Sequence, residues 1–129
     1  MNVLDENILA DQRQLLRSWR IRVRQIGPDL AYKGVKDDGI IPFLHRLDRP
    51  TFFTRDAGFY DRRFCHGAYC LVFLNVDKSE AANFVRRTLR YAALDTWAKR
   101  VGKVIRVGHS RLLLWNLRTR EELTLTWDR

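Results

Sequence analysis

The sequence predicts one α/β domain of three layers, in which helices cover both faces of a mostly parallel central sheet. Over roughly the first 100 residues, apolar runs of strand length alternate with segments of helical period. The most continuous apolar run, YCLVFLNV at residues 69–76, has the composition of a central strand covered on both faces. A length of 129 residues is that of one domain with its own core.

The first three elements are predicted from short patterns near the N-terminus. Residues 1–4 form an apolar run that predicts the first strand. Apolar residues recur at helical spacing between residues 8 and 19 and predict the first helix. The β-rich segment 21–26 predicts a second strand, which ends at the breaker Gly27-Pro28.

A second helix and a third strand follow. The acid pair Asp37 and Asp38 stands at the predicted start of the helix, which ends before Pro50. The compact apolar run at 51–54 predicts a strand, and the loop after it is marked by Gly58.

A long helix is predicted after the central strand. Ser79 is the predicted N-cap, and the helix is expected to run to about Lys99, before Gly102. Its predicted inward stripe consists of Ala81, Val85, Leu89 and Ala92.

The last 27 residues predict three closing strands, at 104–107, 112–117 and 123–127. The last two are joined by a polar turn and are expected to form a C-terminal β-hairpin. The single domain thus divides into an α/β core at 1–102 and C-terminal strands at 103–129.

Composition limits the class of protein. Hydrophobic residues make up 46% of the chain and charged residues 30%, a mixture that excludes wholesale disorder. No apolar stretch approaches the roughly 20 residues of a membrane-spanning helix, and the N-terminus is acidic where a signal peptide is basic. Only two cysteines are present, which fits a reducing compartment. We therefore expect a cytoplasmic protein that does not enter a membrane.

The net charge of +9 is unevenly distributed. Residues 1–80 contain 13 basic and 11 acidic side chains, whereas residues 81–129 contain 11 and 4. The basic second part predicts a partner that is a polyanion, such as RNA, while the acids of the first part cluster at a few points.

Acidic residues follow the ends of two predicted strands. Asp5 and Glu6 follow the first strand, and Asp56 follows the strand at 51–54. The carboxyl ends of parallel strands lie at one edge of a sheet, where functional crevices form. Carboxylates are the ligands that Mg²⁺ and Mn²⁺ prefer, and such an ion neutralises a scissile phosphate and lowers the pKa of an attacking water. The alternative is that the acids merely stabilise helix starts and a turn.

Three segments carry a resemblance to a known family. VLDEN, DDGII and TFFTRDAGF, in this order, resemble the PIN-like nucleases, specifically the short branch that opens with LLDEN and later carries a T-x-D-x-D-F loop. The resemblance covers roughly residues 1–76. It implies a three-layer α/β/α domain that uses Mg²⁺ or Mn²⁺, cleaves RNA, and is often the toxin of a toxin–antitoxin pair, with an antitoxin protein as partner.

The resemblance also implies roles for individual residues. Asp5 matches the first acid of the family and Asp56 the acid of the T-x-D loop. The family's acid at the helix start matches Asp37 by its distance to Ile40-Ile41 and Asp38 by its distance to Thr54. Asp37 is favoured. Thr54 matches the hydroxyl of the motif and would orient a ligand or water, although a buried threonine at a strand end has a purely structural explanation.

The chain departs from the family at Gly58, where the branch has a further acid. Asp61, three residues later, or Glu6 is expected to complete the metal ligands in its place. If neither reaches the ion, we expect weaker metal binding and lower activity.

Arginines are the predicted contacts to RNA. Those that flank the acidic pocket are Arg55, Arg62 and Arg63. On the long helix, one face outside the apolar stripe is predicted to carry Asn83, Arg87, Arg90 and Trp97. Ordinary solvated charge is the alternative for both groups.

Three functional hypotheses follow. The first is a metal-dependent endoribonuclease, and the second is a non-catalytic PIN-like module that binds RNA or a protein. The third is a phospho-accepting domain of receiver type, which needs a lysine after the fifth strand, whereas Lys103 precedes it. Trp115 and Trp127 on the closing strands belong either to the core or to a homodimer interface.

Overall fold

The computed structural model of the chain describes residues 1–30 and 37–127, except for the side chains of residues 37 and 38. The strands are β1 (Asn2–Leu4), β2 (Arg24–Gln25), β3 (Thr51–Thr54), β4 (Cys70–Leu74), β5 (Lys103–Val107), β6 (Arg111–Asn116) and β7 (Leu123–Thr126). The helices are α1 (Ala10–Ser18), α2 (Asp37–Leu44), α3 (Ala81–Arg90) and α4 (Trp97–Arg100). Short 3-10 helices span Ala57–Phe59, Arg62–Phe64 and Lys78–Glu80.

The strands form one sheet in the order β2-β1-β3-β4-β5-β6-β7. The first five strands of this order are parallel to one another. β6 pairs antiparallel with β5, and β7 pairs antiparallel with β6. The predicted α/β class with a mostly parallel sheet is therefore confirmed. From β1 the chain passes to β2 on one side and then returns to β3 on the other, so the strand order reverses between β1 and β3.

Two apolar clusters lie on opposite faces of the sheet, because successive strand residues point to opposite sides. One cluster joins Leu4 and Phe53 to Leu16 of α1 and Val85 of α3. The other joins Val3, Phe52 and Leu71 to Ile40 and Leu44 of α2. All five residues of β4 are buried, as expected for a central strand covered on both sides.

The second strand is shorter than the predicted segment 21–26. Only Arg24 and Gln25 pair with β1. The amide of Ile21 instead donates to the carbonyl of Leu16 as part of the C-terminal cap of α1. The start of the segment therefore serves the helix and not the sheet.

The predicted N-cap of the long helix, Ser79, is wrong. The capping residue is Asp77, at the start of the 3-10 helix Lys78–Glu80 that leads directly into α3: its carboxylate accepts from the amide of Ser79, and Glu80 Oε1 accepts from the amide of Asp77 at 3.1 Å. These bonds form a capping box two residues before the predicted start. The hydrogen bonds from Ser79 hold the pKa of Asp77 below its usual value.

The predicted length of this helix is also wrong. α3 ends at Arg90, because Tyr91 has extended backbone angles, and Ala92 is exposed and not part of an inward stripe. The break has a packing reason: in a continuous helix Leu94 would point away from the face of Val85, whereas here it is buried. Trp97 therefore belongs to the separate helix α4 and does not share a helix face with Arg87.

No helix within the described ranges is both long and apolar enough to cross a membrane.

The buried side chain of Gln12 connects α1 to the start of α3. Its Oε1 accepts from the amide of Ala82 at 2.9 Å, and the side chain is 7% exposed. We expect Gln12→Ala to lower the free energy of unfolding by about 1–3 kcal/mol, because a buried helix-start amide loses its acceptor. Gln14→Ala, at an exposed position of the same helix, should change it by less than about 0.5 kcal/mol. Urea denaturation of both variants measures the difference, and equal stabilities would contradict the assignment.

Candidate functional site at the carboxyl edge of the sheet

The site is organised by a hydrogen bond between the ends of β1 and β3. The amide of Asp5 donates to the carbonyl of Phe53 at 2.9 Å and extends the strand pairing by one residue. Asp5 therefore lies beside Thr54, whose hydroxyl donates to Asp5 Oδ2 at 2.6 Å. Thr54 is fully buried. The position of the Asp5 carboxylate thus depends on a hydroxyl from the neighbouring strand.

The same hydroxyl also fixes the loop that carries Asp56. Thr54 Oγ1 accepts from the amide of Asp56 at 3.0 Å. The Asp56 carboxylate then caps the 3-10 helix that follows, because its Oδ1 accepts from the amide of Gly58 at 2.8 Å. The two acids predicted from strand ends are thus joined through one threonine.

Asn7 is a further member of the site that the sequence analysis did not identify. Its Nδ2 donates to Thr54 Oγ1 at 3.4 Å, and its Oδ1 accepts from the amide of Arg55 at 3.3 Å. The amide side chain therefore bridges the β1 loop to the β3 loop. The sequence signal for this role was the position of Asn7 in the polar run Asp5-Glu6-Asn7, but asparagine is not a carboxylate and was not predicted as a ligand.

Gln25 on β2 supports the Asp5 loop from the other side. Its Nε2 donates to the carbonyls of Asp5 and Ile8, at 3.0 and 2.7 Å. Its Oε1 accepts from a terminal nitrogen of Arg13 at 2.7 Å. Because Gln25 is only 3% exposed, this support is shielded from water. A glutamine in a short edge strand carries no sequence signal of this role.

The third predicted acid lies at the head of α2, where the side chains of Asp37 and Asp38 are outside the described residues. The helix itself packs through Ile40 and Leu44 on the sheet face that holds Val3. Asp5 points to this same face, because it stands two residues after Val3 in an extended segment. Its partner Thr54 on the neighbouring strand points there as well. The helix head and Asp5 are therefore on the same side of the sheet.

Asp61, one of the two expected replacements for the missing acid, pairs with an arginine. Arg63 Nη2 lies 2.7 Å from Asp61 Oδ2, and the Asp61 carboxylate also accepts from the Arg63 amide. These hydrogen bonds hold the pKa of Asp61 below its usual value. The other replacement, Glu6, is exposed, and its side chain lies against Gly27. Among the described residues, no group of three His, Cys, Asp or Glu side chains is arranged to hold a metal ion.

The absence of a side chain at Gly58 leaves room for the Asp56 carboxylate. A Cβ atom at this position would lie 3.1 Å from Asp56 Oδ1, closer than ordinary contact. The cap formed by Asp56 therefore uses the space that a side chain at position 58 would need.

The predicted RNA-contacting arginines fall into two separate groups. Near the site, Arg55 donates from Nε and Nη2 to the carbonyl of Val76, and Arg62 lies over the Trp115 ring at 5.6 Å. On α3, the Arg87 guanidinium lies over the Trp127 ring at 4.4 Å. Arg90, at the end of α3, is exposed. Trp115 and Trp127 thus pack within the chain.

Arg106 is a basic residue near the site that the sequence analysis missed. Thr54 is in register with Phe73, and Phe73 with Arg106, so the two outer residues are two strands apart, about 10 Å. Arg106 contributes to a cavity of about 280 Å³ at the same edge. The other lining residues are Asn75, Gly108, His109, Ser110, Arg111 and Leu113.

Comparison of the chain with models of protein families, with curated proteins and with solved structures finds no match.

The role of the Thr54 hydroxyl is testable by removing it at constant shape. We expect Thr54→Val to lower the free energy of unfolding by about 1–3 kcal/mol, because the half-buried Asp56 amide loses its acceptor and Asp5 its donor. The amide signals of Asp5 and Asp56 should shift in a ¹H–¹⁵N spectrum, and Thr54→Ser should restore both properties.

Thr51 provides a matched control at the opposite end of β3. It is equally buried, and its hydroxyl accepts from Arg100 Nε at 3.1 Å. Thr51→Val should also destabilise the fold but leave the Asp5 and Asp56 signals in place. Unchanged signals in Thr54→Val would show that the hydroxyl does not organise the site.

Proposed function

We propose that this protein is a Mg²⁺- or Mn²⁺-dependent ribonuclease of PIN-like type, in which Asp5, Asp56 and one acid from the head of α2 hold the ion. The observation that carries the proposal is the Thr54 hydroxyl, which connects the Asp5 carboxylate to the Asp56 loop between β1 and β3. In open α/β sheets, ligands bind where the strand order reverses, beyond the carboxyl ends of the strands. Both acids stand at that position.

The donor atoms at this place are of the type that a hard cation takes. They are carboxylate oxygens, together with the amide oxygen of Asn7 and the hydroxyl of Thr54. The described residues contain no complete set of three acidic or imidazole ligands. The proposal therefore requires Asp37 or Asp38, whose helix lies over the same sheet face.

Each residue of the site has a function that follows from its contacts. Thr54 and the amide of Glu6 orient the Asp5 carboxylate, at 2.6 and 2.7 Å, so its geometry is set before substrate binds. Arg106 and the cavity beside it supply positive charge to the same edge for the RNA phosphates. A bound divalent ion neutralises the scissile phosphate and lowers the pKa of the attacking water. A toxin role with an antitoxin partner belongs to the same proposal.

A non-catalytic PIN-like module is the main rival. Gly58 stands where the family has a further acid, and Asp61 is engaged with Arg63. Such a module would keep the arginines and bind RNA in a salt-sensitive manner without cleaving it in any metal.

The phospho-accepting alternative gains one specific observation. The order β2-β1-β3-β4-β5 is the doubly wound order 2-1-3-4-5 that receiver-type domains share. However, Lys103 begins β5 and its ammonium group donates to the carbonyl of Lys99. It therefore lies at the amino edge, whereas the acids lie at the carboxyl edge, so the lysine that such a domain needs is in the wrong place.

We expect Asp5→Asn and Asp56→Asn each to lower RNA cleavage in Mn²⁺ by at least about 100-fold, because ion-based charge stabilisation is worth several kcal/mol and 1.36 kcal/mol is tenfold. Asparagine preserves the acceptor for Thr54 and is a good N-cap, so both variants should fold. Cleavage of a labelled single-stranded RNA, with and without EDTA, measures the effect.

Asp48→Asn is the matched control, since it removes one exposed negative charge before the start of β3, at the opposite end of that strand from Asp56, and should cleave like the parent. Equal cleavage by Asp5→Asn and the parent would contradict the proposal. RNA binding without cleavage in any metal would favour the non-catalytic module, and a phosphoryl adduct on Asp56 after incubation with acetyl phosphate would favour the receiver-type domain.

A further inference from the structure

A second cavity lies at the opposite end of β1 from Asp5. It has a volume of about 570 Å³ and lies between the end of α1 and the start of β2. Its lining residues are Met1, Asn2, Arg17, Arg20, Ile21, Arg22, Val23 and Arg24. Half of them are arginines and none is acidic. We call this cavity the arginine pocket.

Most arginines of the arginine pocket have no acidic partner among the described residues. Arg17 pairs with Asp29 at 2.8 Å. Arg20, Arg22 and Arg24 are exposed, and none of them forms an ion pair with an acidic side chain in the described parts of the chain. Three guanidinium groups around one concave surface favour an anionic ligand, and their forked geometry suits a phosphate.

Arg20 occupies a backbone position that glycine fits better. Its φ is 61°, and it stands one residue after the C-cap Trp19. The backbone amide of Arg20 donates to the carbonyl of Arg17, and the amide of Ile21 donates to the carbonyl of Leu16. This is the Schellman motif, and Arg20 is its left-handed residue. A guanidinium is therefore placed in the pocket at a position where a side chain is conformationally unfavourable.

The pocket also has an apolar part. Val23 is buried, Ile21 is half-buried, and Met1 is 44% exposed. A free inorganic phosphate would leave this surface and most of the volume unused, since cavities of roughly 300–1,000 Å³ are typical of small organic ligands. A lipid surface needs several protruding apolar side chains, whereas only Met1 of these three is exposed. A nucleotide, with its flat base and its phosphate, matches both parts.

We propose that the arginine pocket binds a nucleoside phosphate, either as a free mononucleotide or as one unit of single-stranded RNA. This binding does not depend on the metal-based reaction at Asp5.

The pocket continues toward the acidic site along the edge of the sheet. Arg13 and Arg17 are one turn apart on α1, about 6 Å. Arg13 lines a neighbouring cavity of about 350 Å³ together with Glu6, Gln25 and Gly27, among others. Gln25 in turn donates to the carbonyl of Asp5. An RNA unit held in the arginine pocket would thus direct the adjoining chain to Asp5, a step that rests on the proposed function.

The test measures binding of a labelled single-stranded RNA of ten nucleotides to the full chain by fluorescence anisotropy, in EDTA so that no cleavage occurs. We expect Arg20→Gln/Arg22→Gln to weaken binding about tenfold or more, because the phosphate loses two charged hydrogen-bond donors. The dependence of log affinity on log salt should become shallower by about 0.7 for each phosphate contact removed.

Two further variants distinguish an effect of the arginine pocket from an effect of net charge and from a folding defect. Arg118→Gln/Arg120→Gln removes the same charge from the exposed turn between β6 and β7 and should weaken binding less than about threefold. Arg20→Gly suits the left-handed backbone, so its melting temperature should match or exceed that of the parent while its RNA affinity falls.

Competition with AMP distinguishes the two sources of the ligand. Displacement of the RNA by AMP supports a mononucleotide site, and displacement only by unlabelled RNA supports a site for one unit of a strand. Equal losses in the pocket and control double variants would overturn the proposal. Absence of binding to both RNA and AMP, or pocket-dependent binding only to vesicles containing phosphatidylserine, would also overturn it. Because binding is measured in EDTA and cleavage in Mn²⁺, the pocket proposal and the nuclease proposal fail separately.

Discussion

The hydrogen bond from the Thr54 hydroxyl to the Asp5 carboxylate, 2.6 Å long, connects two strands at the place where the strand order reverses. Thr54 is fully buried, so leaving its hydroxyl unpaired would carry a desolvation cost. The same oxygen accepts from the Asp56 amide, and Asn7 donates to it as well. One buried hydroxyl therefore determines the geometry of two loops that are about fifty residues apart in the chain.

The sheet makes this arrangement possible. β4 is buried on both faces, and its neighbours β3 and β5 are parallel to it, so their carboxyl ends reach the same edge. Asp5 and Asp56 follow β1 and β3 and are joined through Thr54, and Arg106 lies on the same face two strands away from Thr54. Strand register thus places two acidic residues and a basic residue at one edge of the sheet.

Part of the site could be predicted from the sequence. Apolar patterns indicate where each strand ends and which of its residues point to the same face of the sheet. The positions of Asp5 and Asp56 required only that β1 and β3 be parallel. Their connection through Thr54 required the register of Leu4 with Phe53, which no local pattern specifies. The support from Gln25 depends on the same kind of long-range pairing.

Other features could not be predicted because tertiary packing decides them. The apolar period through Leu89 and Ala92 continues past the end of α3, yet burial of Leu94 ends the helix. The capping box at Asp77 was missed because Ser79 is an equally good cap by composition. The alternation of Arg22 and Arg24 with apolar residues is typical of a half-exposed strand. The Schellman turn at Arg20 instead directs this segment along the cavity that we call the arginine pocket.

The central claim is that Asp5 and Asp56 belong to one cation site. A crystal structure of the protein soaked in MnCl₂, with anomalous scattering recorded at the manganese edge, tests it most directly. We expect one strong anomalous peak with carboxylate oxygens of Asp5 and Asp56 among its ligands, at roughly 2.0–2.2 Å as for a small hard cation. Manganese bound elsewhere, with these two carboxylates retaining only their hydrogen bonds to Thr54 and Gly58, would contradict the claim.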